Sequence, residues 1–178
     1  MKTNSKIIEQ LTETNSLFSK KLKTKPYYKS IYDVVLREGK LFESKSITND
    51  ESKIIEKALK KSKQTKLGQC FYNAQCLCLS DESNQIEYWE GFTYDSEIQM
   101  AILHGFNTIN GKVIDITHKI NGKYIKGVFG IENEYMGVKF DKKMIIERIC
   151  TGKDCTSFID NWREGYPILK NKWMNPAA

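Results

Sequence analysis

Three side chains of the types that make a nucleophile, a base and an orienter follow one another along this chain: Cys70, His104 and Asp115. Cys70 stands in the run Gly68-Gln69-Cys70-Phe71-Tyr72-Asn73-Ala74, where a basic polar stretch gives way to helical spacing. A thiol at a helix N-terminus ionises more readily than a free one, because the unsatisfied amides and a nearby imidazolium favour the thiolate. The same amides can bind a developing oxyanion. Gln69 adjoins the thiol and offers a side-chain amide to that hole, and Gly68 lets the backbone turn tightly into the helix. Asn73 either lines the site or makes an ordinary helix hydrogen bond.

The partners come from a hairpin. Asn110-Gly111 separates two strand-like runs, the strongest short-range signal for a two-residue turn. With those two as the loop, Ile109 faces Lys112, Thr108 faces Val113 and Asn107 faces Ile114. Continued further, Phe106 faces Asp115 and His104 faces Thr117. Side chains alternate between faces, so His104, Phe106, Thr108, Asp115 and Thr117 share one, and His104 and Asp115 become diagonal neighbours. A carboxylate beside an imidazole fixes its tautomer and supports its cation. The chemistry expected is thiolate attack on a carbonyl carbon, with His104 as base and then acid.

Elements must hold these groups in place. Apolar spacing predicts helices over 5–22, 27–37 and from Asn49 or Asp50 (as cap) through Leu59, before the Lys-rich run 60–66. The thiol-bearing helix is expected over 70–79. Strands are expected over 86–94, 99–109, 112–117 and 135–140, with a second hairpin at Asn121-Gly122 leading to a strand over 124–131. Helices are expected over 142–149 and 157–162, and a loosely packed extension beyond Pro167. Helices first and hairpin-linked strands later describe an α+β fold: N-terminal helices, then a nucleophile-bearing helix on an antiparallel sheet. Residues 1–67 form a basic helical region packed on a core made by 68–178, within one compact domain.

The motifs Gly68-x-Cys70-x-x-Asn73-Ala74, Tyr88-Trp89-Glu90-Gly91-Phe92, His104-Gly105-Phe106-Asn107 and Gly111-Lys112-Val113-Ile114-Asp115-Ile116-Thr117 resemble the papain-like and transglutaminase-like cysteine enzymes. Tyr135-Met136-Gly137-Val138 resembles a later strand of some bacterial and phage members. The resemblance covers roughly 68–140. It implies a Cys opening a helix that packs on an antiparallel sheet, with His and Asp on neighbouring strands. Where many members carry Trp soon after the His, this chain has Gly105 and Phe106. The superfamily includes peptidases, amidases, deamidases and transglutaminase-type acyltransferases. It implies a thioester intermediate on a protein, peptide or small amide substrate, and no cofactor.

Bulk composition sets the alternatives. Of the 178 residues, 1–67 hold 16 Lys+Arg against 8 Asp+Glu, and the remainder 12 against 14. A basic N-terminal third allows a second reading, a non-catalytic binding protein on the same fold that holds an acidic partner or nucleic acid. Against that, Arg, the better bidentate phosphate reader, occurs only at Arg37, Arg148 and Arg163. No run approaches a membrane span, and the N-terminus lacks the apolar core of a secretion signal. A cytoplasmic location follows as the expectation, with the five cysteines kept as thiols. Cys76-x-Cys78 and Cys150-x4-Cys155 carry no His at zinc-finger spacing, so no metal is expected. His118 is read as a loop or surface residue.

Overall fold

The computed structural model describes residues 5–18, 27–42, 45–62, 68–117, 119–120, 123–124, 133–153 and 155–171. Its frame is a curled five-stranded sheet, antiparallel throughout, in the order β1-β7-β2-β3-β4: β1 (Lys40–Phe42), β7 (Tyr135–Phe140), β2 (Ile86–Asp95), β3 (Met100–Ile109) and β4 (Lys112–Ile114). A separate two-stranded ribbon pairs β5 (Lys119–Ile120) with β6 (Lys123–Tyr124). The helices are α1 (Lys6–Phe18), α2 (Ile31–Glu38), α3 (Asn49–Ser62), α4 (Cys70–Ser80), α5 (Lys142–Cys150) and α6 (Pro167–Lys170). The fold is therefore mixed α+β around an antiparallel sheet.

Alternation along the strands separates two faces. Tyr88, Phe92, Met136, Val138 and Phe140 turn towards Ile7 and Leu11 of α1, Val34 and Val35 of α2, Ala74 and Cys78 of α4, and Ile145 of α5. Ile55 and Ala58 of α3 extend this layer by meeting Leu77 of α4 and Ile109 and Ile114 of the hairpin. The opposite face gathers Phe42, Trp89, Phe106, Val113 and Tyr135. The basic N-terminal third thus shares the sheet and core of the rest of the chain.

Local chemistry sets the element ends. Ser30 caps α2 by accepting the Asp33 amide at 3.1 Å, so residues 27–30 form bends where a helix from Tyr27 was expected. Asn49 and Asp50 lie inside α3; the cap is Thr48, whose Oγ1 accepts the Glu51 amide at 3.3 Å while Glu51 Oε2 accepts the Thr48 amide at 2.7 Å. This reciprocal pair is a capping box. Asn110 and Gly111 both have positive φ, 51° and 73°, as a type I′ turn requires. The β3–β4 register is Asn107 to Ile114, Thr108 to Val113 and Ile109 to Lys112, as the turn predicts.

Other expectations are corrected. β4 ends at Ile114, so the strand over 112–117 is three residues long and Ile116 and Thr117 form a bend. Residues 157–161 are not helical. Their amides are drawn onto the Glu90 carboxylate, which accepts from Phe158 N at 2.8 Å and Ile159 N at 3.0 Å, and only a short 3-10 turn follows at Trp162–Glu164. Of the extension expected beyond Pro167, residues 168–171 are described and anchored, since Leu169 O accepts the Tyr28 amide at 3.1 Å; residues 172–178 lie outside the described residues. β1 was not foreseen: it is three residues long and follows the helix stop at Gly39. Residues 19–22 of the first expected helix, the Asn121-Gly122 turn, most of the strand over 124–131 and His118 lie outside the described residues. Among the described residues no helix is long and apolar enough to cross a membrane.

Candidate active site

Cys70 is the first residue of α4, after Gln69 at the cap and Gly68 in a left-handed turn at φ 69°. The helix is seated by close approach to β3. A methyl group at Gly105 would stand 2.9 Å from both Phe71 Cα and Phe71 Cδ1. No side chain fits between the first turn of α4 and the strand, which brings the thiol to the residue before Gly105. That residue is His104, 9% exposed and hydrogen-bonded to Cys70.

The imidazole spans two partners. Its Nε2 lies 2.7 Å from Asp115 Oδ2. A carboxylate only accepts, so Nε2 carries the proton in that bond and Nδ1 is the nitrogen left for the thiol. Asp115 sits one residue beyond the end of β4, and so reaches His104 from the strand terminus where a ladder pair was expected. Its other oxygen, Oδ1, accepts the Thr117 amide at 2.9 Å and the Thr117 hydroxyl at 3.2 Å. Tyr135 Oη donates to Oδ2 at 2.9 Å across the sheet. The carboxylate is 1% exposed and tied from three directions.

These contacts set the charges. Burial pushes the Cys70 thiol up, but the hydrogen bond and charge of His104, with the backbone amides of Gly105 and Phe71, outweigh it and hold the thiol below its ordinary value. For His104 burial favours the neutral ring, and the Asp115 charge and hydrogen bond overcome it, raising the imidazole to about 10. Asp115 is likewise opposed by burial and held down to about 2 by His104, Thr117 and Tyr135. The contacts among the three groups thus favour their charged forms: thiolate, imidazolium and carboxylate. Cys78 forms a contrast on the same helix: buried and donating to Ile86 O at 3.3 Å, it is pushed up to about 12, mainly by burial.

The other expected site residues fall in different places. Gln69 is exposed and makes no side-chain cap bond, and it lies on the rim of a cleft of about 800 Å³. The cleft runs from Gly68, Phe71 and Tyr72 to Cys155, Thr156, Ser157 and Asp160, so the two neighbours of the thiol form one wall. Asn73 has no exposed surface and its amide donates to Gln69 O at 2.9 Å, placing it in the body of the helix rather than on an open site wall. Cys76 and Cys155 line the cleft, Cys150 is exposed, and no group of three metal-ligating side chains occurs among the described residues. On α3, Lys57 and Lys61 both pair with Glu82, at 3.0 and 2.7 Å, so these cations are already answered within the chain.

Tyr135 and Gly105 were missed as site residues. Asp-x-Thr at 115–117 is a local turn pattern that could have marked the Thr117 bond. Nothing local connects Tyr135 to Asp115, twenty residues earlier.

Compared with protein-family models, with curated proteins and with solved structures, the chain matches none.

Proposed function

We propose that this chain is a thiol-dependent hydrolase or acyl-transfer enzyme working through Cys70, His104 and Asp115, of the papain-like or transglutaminase-like type. The observation that carries the reading is the buried imidazole 2.7 Å from the Asp115 carboxylate, with the Cys70 thiol held below its ordinary value by that same imidazole. A decayed site would have no need of a buried carboxylate fixed by three further donors.

In the reaction, the Cys70 thiolate attacks a carbonyl carbon of an amide or ester. The S–C bond forms, and the carbonyl oxygen takes up negative charge that amides at the α4 N-terminus are placed to receive. The imidazolium gives its proton to the departing amine or alcohol as that bond breaks, leaving a thioester. Neutral His104 then takes a proton from water or an incoming amine, which displaces the sulfur.

The test uses p-nitrophenyl acetate, an activated ester. One equivalent of nitrophenol should appear rapidly, with an acetyl group on Cys70 located by mass spectrometry, and Cys70→Ala should abolish both. Absence of an acyl adduct on Cys70, combined with iodoacetamide labelling no faster than that of a free cysteine, would overturn the reading.

A further inference from the structure

Glu90 is a carboxylate with no exposed surface in the middle of β2, and no step above uses it. Its bonds converge on one segment. Ser157 Oγ donates to Oε2 at 2.7 Å, Phe158 N to both oxygens at 2.8 Å, and Ile159 N to Oε2 at 3.0 Å. Tyr88 Oη donates to Oε1 at 2.6 Å from the same strand. Ser157 and its neighbours Cys155, Thr156 and Asp160 line the same cleft as Gln69 and Phe71.

Register makes the placement specific. Glu90 pairs with Gly105 across the β2–β3 ladder, and Gly91 pairs with His104. The residue that holds this wall of the cleft is therefore directly opposite the residue on which the nucleophile's helix rests. A second tie runs the same way: Gln75 of α4 donates from Nε2 to Thr156 O and to Tyr88 Oη, both at 3.0 Å. Wall, helix and catalytic strand thus hang from one cross-strand row. A buried carboxylate with no cation against it persists only because four donors surround it, and three of those come from the segment it holds.

We infer that Glu90 is a positioning residue for substrate: it fixes the 155–160 segment as a wall of the cleft, and this cleft receives the part of an acyl substrate that flanks the reacting carbonyl. The inference rests on the proposed thiol chemistry and adds the site where the substrate is held. Its prediction is a split between binding and reactivity, since Glu90 touches neither the thiol nor the imidazole.

The experiment alkylates the full chain with benzyloxycarbonyl-Phe-Ala chloromethyl ketone, a thiol-reactive dipeptide, and in parallel with iodoacetamide, locating both labels by mass spectrometry. The dipeptide reagent should label Cys70 with saturating kinetics. Glu90→Gln should raise the half-saturating concentration by about 10-fold or more, a loss of binding alone, while the limiting rate and the iodoacetamide rate at Cys70 stay within a factor of about two. Ser157→Ala removes one donor and should give a smaller shift of the same kind. Cys78 should remain unlabelled in each variant, showing that the core is intact. An unchanged half-saturating concentration in both variants, or labelling of Cys70 that never saturates in the unmodified chain, would overturn the assignment. Failure of the underlying chemistry would look different: Cys70 would react with iodoacetamide no faster than a free cysteine.

Discussion

Gly105 and Phe71 touch backbone to backbone: the space a Gly105 side chain would need is taken by Phe71 Cα and Cδ1, each 2.9 Å from the position of the missing carbon. This contact sets the depth at which α4 meets β3, and hence the reach of Cys70 to His104. Gly105→Ala should push the first turn of α4 off the strand. Overpacking of this kind costs about 1–3 kcal/mol, which urea unfolding would measure. Cys70 reactivity should fall further than stability does, because the hydrogen bond to His104 is lost with the displacement. A stable Gly105→Ala variant with undiminished iodoacetamide labelling at Cys70 would contradict this role.

The charge state of the thiol has a sign that can be checked. In the folded chain Cys70 is held below its ordinary 9.0 although burial alone pushes it up. Iodoacetamide labelling should therefore reach its plateau at lower pH than for a free cysteine. His104→Ala removes the hydrogen bond and the charge but leaves the burial. The midpoint should then rise, with only the Gly105 and Phe71 amides left to oppose burial. A pH profile that does not move would remove His104 as the source of the thiolate.

Asp115 acts on the imidazole from a fixed position. Asp115→Asn keeps an acceptor for the Thr117 amide but removes the charge that supports the imidazolium. Turnover of an ester substrate should fall by about 10³- to 10⁴-fold with the fold retained, as for loss of an orienting carboxylate elsewhere. Tyr135→Phe removes one donor to Oδ2 and should cost about 1.5 kcal/mol, with a much smaller effect on rate. Circular dichroism and urea titration separate the two outcomes. Equal activity in Asp115→Asn would sink its assigned role.

The hairpin is tied to α3 through Glu51, which accepts from Asn110 Nδ2 at 3.0 Å and Lys112 Nζ at 2.8 Å besides closing the capping box. The Lys112 bond, first among these contacts, holds the Glu51 carboxyl down to about 2 against an ordinary 4.5. A depressed carboxyl contributes stability that is present above 4.5 and is lost as pH falls through about 2. Glu51→Gln should cost about 1–2 kcal/mol at neutral pH, and its deficit relative to the unmodified chain should shrink as the pH is lowered below 4.5. A constant deficit across that range would show that the charge is not what matters.

Much of the site was legible because its signals are local. Asn110-Gly111 specifies a turn with two positive φ angles, and that turn fixes the register of the three residue pairs that flank the loop. Period-two alternation then puts His104 and Asp115 on one face. Helical spacing after Gly68 locates Cys70 at the start of α4 for the same kind of reason. The expected helix over 157–162 failed where locality fails: Ser157, Phe158 and Ile159 give their donors to Glu90, which is nearly seventy residues away in sequence. β1 escaped for a related reason, since three residues carry too little pattern to show a strand whose pairing partner is β7.

By itself, the sequence determined which residues to propose as nucleophile, base and orienter, the helix that opens at the thiol and the hairpin that carries His104 and leads to Asp115. Each rests on backbone preferences and periodicities acting over a few residues. Only the tertiary structure decided that they meet. The contact at Gly105, the Tyr135 bond to Asp115 and the Glu90 clamp on the cleft wall join residues far apart in the chain. Such contacts depend on how whole elements stack and on which buried polar groups must find partners, and no stretch of sequence contains both halves of that requirement.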